Sequence, residues 1–207
     1  MEKKEIKNIL INSVNSFDNI NHYEMIGTFG SINSNSSSFG DIDLVSIGGD
    51  KVHKKFLKYL SNEFLKNQIK IKFFKTILKK PSVKENELLI HDLHYIDLSD
   101  LLNREWKVII ISMKNDIETF YGKNLLNNFS KLEVSKSDLF NPILKWVNNI
   151  NNKREYNIFI SHLMKYNLDD FYEYKFENYG DKIKDILNSK SNWKNKISQI
   201  KEVLTIK

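Results

Sequence analysis

The chain has 207 residues, 41% of them hydrophobic and 12% aromatic, which is too apolar for a disordered segment and enough to build a core in one sizeable domain or two small ones. No apolar run approaches the ~20 residues that span a bilayer, the start Met1-Glu2-Lys3-Lys4-Glu5 does not read as a secretory signal, and the absence of cysteine excludes disulfides and thiolate metal sites. The net charge of +6 suits an anionic partner such as RNA or a nucleotide, yet Arg104 and Arg154 are the only arginines and alanine is absent, a composition that A/T-rich coding produces by itself. The cytoplasm is the expected compartment.

Ile6, Ile9, Leu10, Val14 and Phe17 recur at helical spacing, which predicts an amphipathic helix over 3–18. Tyr23–Phe29 reads as a strand ending in the tight turn Gly30-Ser31, and residues 32–39 as a loop of small residues beside it. A second strand, Asp41–Ile47, closes at Gly48-Gly49. Val52, Phe56, Leu57, Leu60, Phe64 and Leu65 then make a helical stripe over 51–66, whose lysines form a solvated face. A strand over 68–77, a hairpin loop over 79–87 with Pro81, and a strand over 87–98 follow. Ser99–Ser112 reads as a buried helix capped by Ser99, with a strand as the alternative, and Thr119–Lys123 as a late strand and turn. From Asp138 the pattern is helical, with Pro142 in a first turn and further helices over 154–166, 169–178, 181–188 and 192–204. A boundary at 128–140 separates a domain over 1–130 from a helical domain over 138–207. The expected class is α/β (α+β): a short mixed sheet flanked by helices, then a helical C-terminal domain.

The chemistry concentrates in Ile26-Gly27-Thr28-Phe29-Gly30-Ser31 and Gly40-Asp41-Ile42-Asp43-Leu44-Val45. Residues i and i+2 of a strand share a face, so Asp41 and Asp43 project together while Ile42 and Leu44 turn to the core. Two carboxylates that close repel each other unless a cation lies between them, and hard oxygens on one strand suit Mg²⁺. Gly30 permits close backbone approach, and Ser31 adds a hydroxyl and an N–H where a phosphate could rest.

This Gly-Ser, polar loop and Asp-x-Asp flanked by aliphatics resembles the signature of the DNA polymerase β-like nucleotidyltransferase superfamily, which includes poly(A) polymerases, CCA-adding enzymes and small stand-alone members of toxin–antitoxin pairs. The late Tyr121-Gly122-Lys123 is similar to a turn many small members carry. The resemblance implies a nucleotidyltransferase domain over 1–130 that moves an NMP group from an NTP to an acceptor hydroxyl with release of pyrophosphate. Asp41 and Asp43 would hold Mg²⁺, two ions by expectation, and Gly30 and Ser31 would hold the triphosphate. An RNA 3′ end such as that of tRNA is the first acceptor considered. A protein or small molecule is the alternative, as is a non-catalytic antitoxin or scaffold of the same fold. Lys145, Lys153 or Arg154 of the helical domain would assist with the nucleotide.

Two-metal transfer calls for a third carboxylate, which in the superfamily lies on a later strand. Leu89-Ile90-His91-Asp92-Leu93-His94-Tyr95 offers Asp92 as general base and shared metal ligand, with Asp97 as its rival on the other face. His91 and His94 do not make a His-x-x-His zinc site, because strand residues three apart point to opposite faces. His91 is expected to be structural, and His94 to support the site from Asp92's face.

Overall fold

The computed structural model describes residues 2–33, 40–75, 81–84, 86–103, 116–128, 135–164 and 176–205. They fall into two compact units, one from 2–103 with 116–128 and one from 135–164 with 176–205.

The first unit contains α1 (Lys3–Asn15), β1 (Tyr23–Phe29), β2 (Ile42–Gly48), α2 (His53–Lys66), β3 (Lys70–Phe74), β4 (Glu87–Tyr95), α3 (Leu98–Asn103) and β5 (Glu118–Gly122). The strands form one mixed sheet in the order β3-β4-β2-β1-β5. β1 runs antiparallel to both β2 and β5, whereas β2, β4 and β3 are mutually parallel. The hairpin expected over 79–87 is therefore corrected: β3 and β4 are parallel neighbours. A tight hairpin joins only antiparallel strands, and a parallel pair needs a crossover of about a dozen residues, a length that 75–86 supplies.

The largest buried cluster covers one face of the sheet. Ile6, Leu10 and Val14 of α1, spaced by four, and Phe56, Leu60 and Phe64 of α2 pack on Ile26, Ile42, Leu44 and Ile90, all buried. Each such side chain contributes roughly 1.5–3 kcal/mol of transfer free energy. α1 stops at Asn15, short of the expected 18, yet Phe17 still reaches the core and packs on Phe56 with ring centroids 5.2 Å apart. At α3 the cap is Asp97 rather than Ser99. Asp97 Oδ1 accepts the Asp100 N–H at 2.8 Å, and Asp100 Oδ2 accepts the Ile96 N–H at 3.0 Å. The rest of the expected 99–112 helix lies outside the described residues.

The second unit contains α4 (Lys136–Asn148), α5 (Lys153–His162), α6 (Glu177–Asn188) and α7 (Trp193–Thr205), with α7 packed on α4 and α6. A capping box begins α4: the Ser135 side chain accepts the Asp138 N–H, and Asp138 returns to the Ser135 N–H. That early start places Pro142 inside the helix, which corrects its expected first-turn position. Leu139, Phe140, Ile143, Trp146 and Val147 line the buried side of α4. The expected helix over 169–178 falls largely outside the described residues. Among those described, no helix is long and apolar enough to cross a membrane.

Candidate functional site

The antiparallel register of β1 and β2 pairs Phe29 with Asp43, so the turn that ends β1 lies against the carboxylate near the start of β2. Gly30 has φ +78°, and a Cβ built on it would lie 2.9 Å from Asp43 Oδ2. Glycine thus serves twice here, reaching the left-handed region and leaving open the space beside the carboxylate. Asp41 is half-buried one residue ahead of β2, and the Ser31 hydroxyl donates to its carbonyl at 3.5 Å. Two residues without a sequence signal fix this turn. Lys3 of α1 donates to the Ser31 carbonyl, and Asn33 Nδ2 donates to the carbonyls of Thr28 at 2.6 Å and Asp116 at 2.9 Å. The structure brings Gly30, Ser31, Asp41 and Asp43 together. Residues 34–39 of the small-residue loop lie outside the described residues.

Asp92 does not join them. β2 and β4 are parallel with Asp43 beside His91 and Leu44 beside Asp92, and side chains alternate faces along each strand. His91 therefore occupies the face of Asp43, while Asp92 turns with Leu44 toward α1 and α2. This corrects the expected convergence of the three aspartates. His91 Nδ1–H donates to Asp43 Oδ1 at 3.0 Å, and its ring stacks on Phe74 at 4.7 Å. His94 does share Asp92's face, but that is the face covered by helices.

Asp92 instead sits in a buried polar network, its side chain 0% exposed. The carboxylate only accepts, so His53 Nε2–H donates to Asp92 Oδ1 at 3.0 Å, leaving His53 Nδ1 to accept the Tyr23 hydroxyl at 3.1 Å. His94 stacks on His53 at 3.7 Å and its Nδ1 meets the Ser46 hydroxyl at 3.1 Å. Lys75 Nζ stands 3.9 Å from Asp92 Oδ2, and Asp50 Oδ1 stands 3.9 Å from His94 Nε2. Burial, with help from the Asp92 charge, raises the Tyr23 phenol well above its ordinary range and keeps it a donor. Burial, then the neighbouring His53, pushes His94 down to about 4. The network ties the first residue of α2 to β1 and β4, a structural task.

Asp41 and Asp43 are hard oxygen donors two residues apart, a set that suits one Mg²⁺ beside the turn. The third carboxylate is on the opposite face, and among the described residues no group of three or more His, Asp or Glu could hold a metal ion. Asp97 is engaged as the α3 cap. Lys145, Lys153 and Arg154 are exposed on α4 and α5 of the second unit. Comparison with protein-family models, curated proteins and solved structures finds no match, so the resemblance rests on the chain's own residues.

Proposed function

We propose that the sheet unit binds a nucleoside triphosphate with a divalent cation and transfers its nucleotidyl group to an acceptor hydroxyl. The observation that carries this reading is the contact of Gly30 with Asp43: the Gly-Ser turn and the Asp-x-Asp carboxylates, ten residues apart in sequence, meet at one corner of the sheet with the glycine keeping space beside Oδ2. Phosphate oxygens would enter that space, where the Ser31 hydroxyl and backbone N–H are donors and Asp41 and Asp43 would hold the cation. A bound Mg²⁺ supplies charge neutralisation for the phosphates. His91 holds Asp43 Oδ1 and so orients the other oxygen toward Gly30. In the transfer, the acceptor oxygen bonds to the α-phosphorus as the bond to the β-phosphate bridge breaks. Pyrophosphate leaves, and the acceptor proton passes to solvent.

The net charge of +6 favours an anionic acceptor, an RNA 3′ end, over a protein or small-molecule hydroxyl. Nucleotide binding without turnover is the second reading, favoured by the placement of Asp92 on the helix-covered face. Incubation of the chain with each α-labelled NTP, Mg²⁺ and fractionated lysate tests the proposal. Label is expected in one fraction, the RNA first, and Asp43→Asn is expected to lose at least tenfold in rate, since a lost metal ligand costs more than one decade. A chain that neither binds an NTP nor labels any fraction would refute it.

A further inference from the structure

We infer that the described residues of the nucleotide face provide for one cation, with His91 standing where a second ion would need its carboxylate. The inference rests on the proposed nucleotide binding and deepens it.

A pair of divalent ions about 3.5–4 Å apart needs a ligand that both share and further anionic oxygens on the same side. On β4 the positions that reach Asp43's face are those in step with His91, because β2 and β4 pair Asp43 with His91 in a parallel ladder. Leu89 and Leu93, two residues to either side, supply no donor. The position beside Asp43 is therefore a ring nitrogen, and Nδ1 is already spent on Asp43 Oδ1 at 3.0 Å. The imidazole is also fixed from its flat side by Phe74, the two planes 5° from parallel at 4.7 Å. A ring clamped in this way cannot swing over to become a bridging oxygen donor.

The only carboxylate of β4's Leu88–Tyr95 stretch is Asp92, and it cannot be recruited by a rotamer change. Its side chain is fully enclosed, bonded to His53, and separated from the nucleotide face by the sheet itself. Moving it across would require a one-residue slip of β4, which would reverse every side chain of the strand and break both the His53–Asp92 and the His91–Asp43 hydrogen bonds. Among the described residues, the site that remains has two carboxylates, Asp41 and Asp43, and the phosphates of the nucleotide itself as ligands for one ion.

Manganese counting tests this. Mn²⁺ bound per chain is measured by equilibrium dialysis and by electron paramagnetic resonance in the presence of a non-hydrolysable α,β-methylene ATP analogue. One Mn²⁺ per bound nucleotide is expected for the wild type and for Asp92→Asn, with no spin-coupled pair signal. His91→Asp restores a carboxylate beside Asp43 and is expected to raise the count to two, with the pair signal appearing. Two ions in the wild type, or loss of an ion in a folded Asp92→Asn chain, would overturn the inference while leaving nucleotide binding intact. A folded His91→Asp chain that still holds one ion would overturn the role given to position 91. Failure of the wild type to bind the analogue with any Mn²⁺ would overturn the inference and the proposed function together.

Discussion

Asp92→Ala separates a structural carboxylate from a catalytic one. Truncation removes the acceptor of the His53 Nε2–H and leaves that donor buried, His53 being 6% and Asp92 0% exposed in their side chains. An unsatisfied buried donor costs about 1–3 kcal/mol, so the expected loss is about 2 kcal/mol. With a urea slope of about 2 kcal/mol per molar, the midpoint by far-ultraviolet circular dichroism should fall by about 1 M. Asp92→Asn keeps an oxygen of the same reach for His53 and should lose only about 1 kcal/mol. The folded fraction of either variant should bind NTP with Mn²⁺ within about twofold of wild type, or about 0.4 kcal/mol. A variant with an unchanged midpoint and abolished NTP·Mn²⁺ binding would refute the reasoning, because it would place Asp92 on the nucleotide face after all.

Gly30→Val forces a β-branched residue to φ +78° and drives its Cβ to 2.9 Å from Asp43 Oδ2; it should cost about 2 kcal/mol of stability and raise the NTP dissociation constant at least tenfold, and unchanged affinity in a folded variant would show the turn to be structural only. Asp97→Ala removes the acceptor of the Asp100 N–H and should cost about 1 kcal/mol in melting experiments without touching nucleotide affinity. The His94 ring, faced by His53 from α2, Asp92 from β4, Asp50 after β2 and Lys75 after β3, holds its proton only below about 4 against 6.5 ordinarily. The unfolded chain thus binds a proton that the folded one does not between those values, and stability should fall as pH drops from about 6.5 to 4; a His94→Gln chain with the same acid slope would rule out this ring as the cause.

Much of the first unit can be read from local pattern. Tyr23–Phe29 is a strand in sequence and in structure with the same bounds, because β-formers run to a glycine turn that only glycine can make. Ile6, Leu10 and Val14 announce α1 by their spacing, and Phe56, Leu60 and Phe64 announce α2. The direction of β3 relative to β4 cannot be read this way. A loop with Pro81 between two β-rich runs suits a hairpin as well as a crossover, and only the ladder that pairs β3 parallel to β4 tells them apart. Pro142 misled for a related reason. It marks a helix, but the helix begins where Ser135 and Asp138 can cap each other, several residues earlier.

The face of Asp92 was illegible for a more general reason. A half-buried strand declares its faces by alternation, but β4 lies between β3 and β2 and is apolar on both sides: Leu88, Leu89 and Ile90 are all buried. Such a run carries no parity, so nothing near Asp92 tells which way its carboxylate points. Parity comes only from the ladder that sets His91, not Asp92, beside Asp43, and a shift of one residue reverses it. The Gly30–Asp43 corner escaped this difficulty because Gly30 directly follows β1, whose antiparallel pairing with β2 sets Phe29 beside Asp43. A buried carboxylate still needs a partner, and for Asp92 that partner is His53, 39 residues upstream at the first turn of α2. No local window contains both. The motif could therefore bring Gly30, Ser31, Asp41 and Asp43 to one corner, while the face that Asp92 takes is decided by a long-range pairing that the motif does not encode.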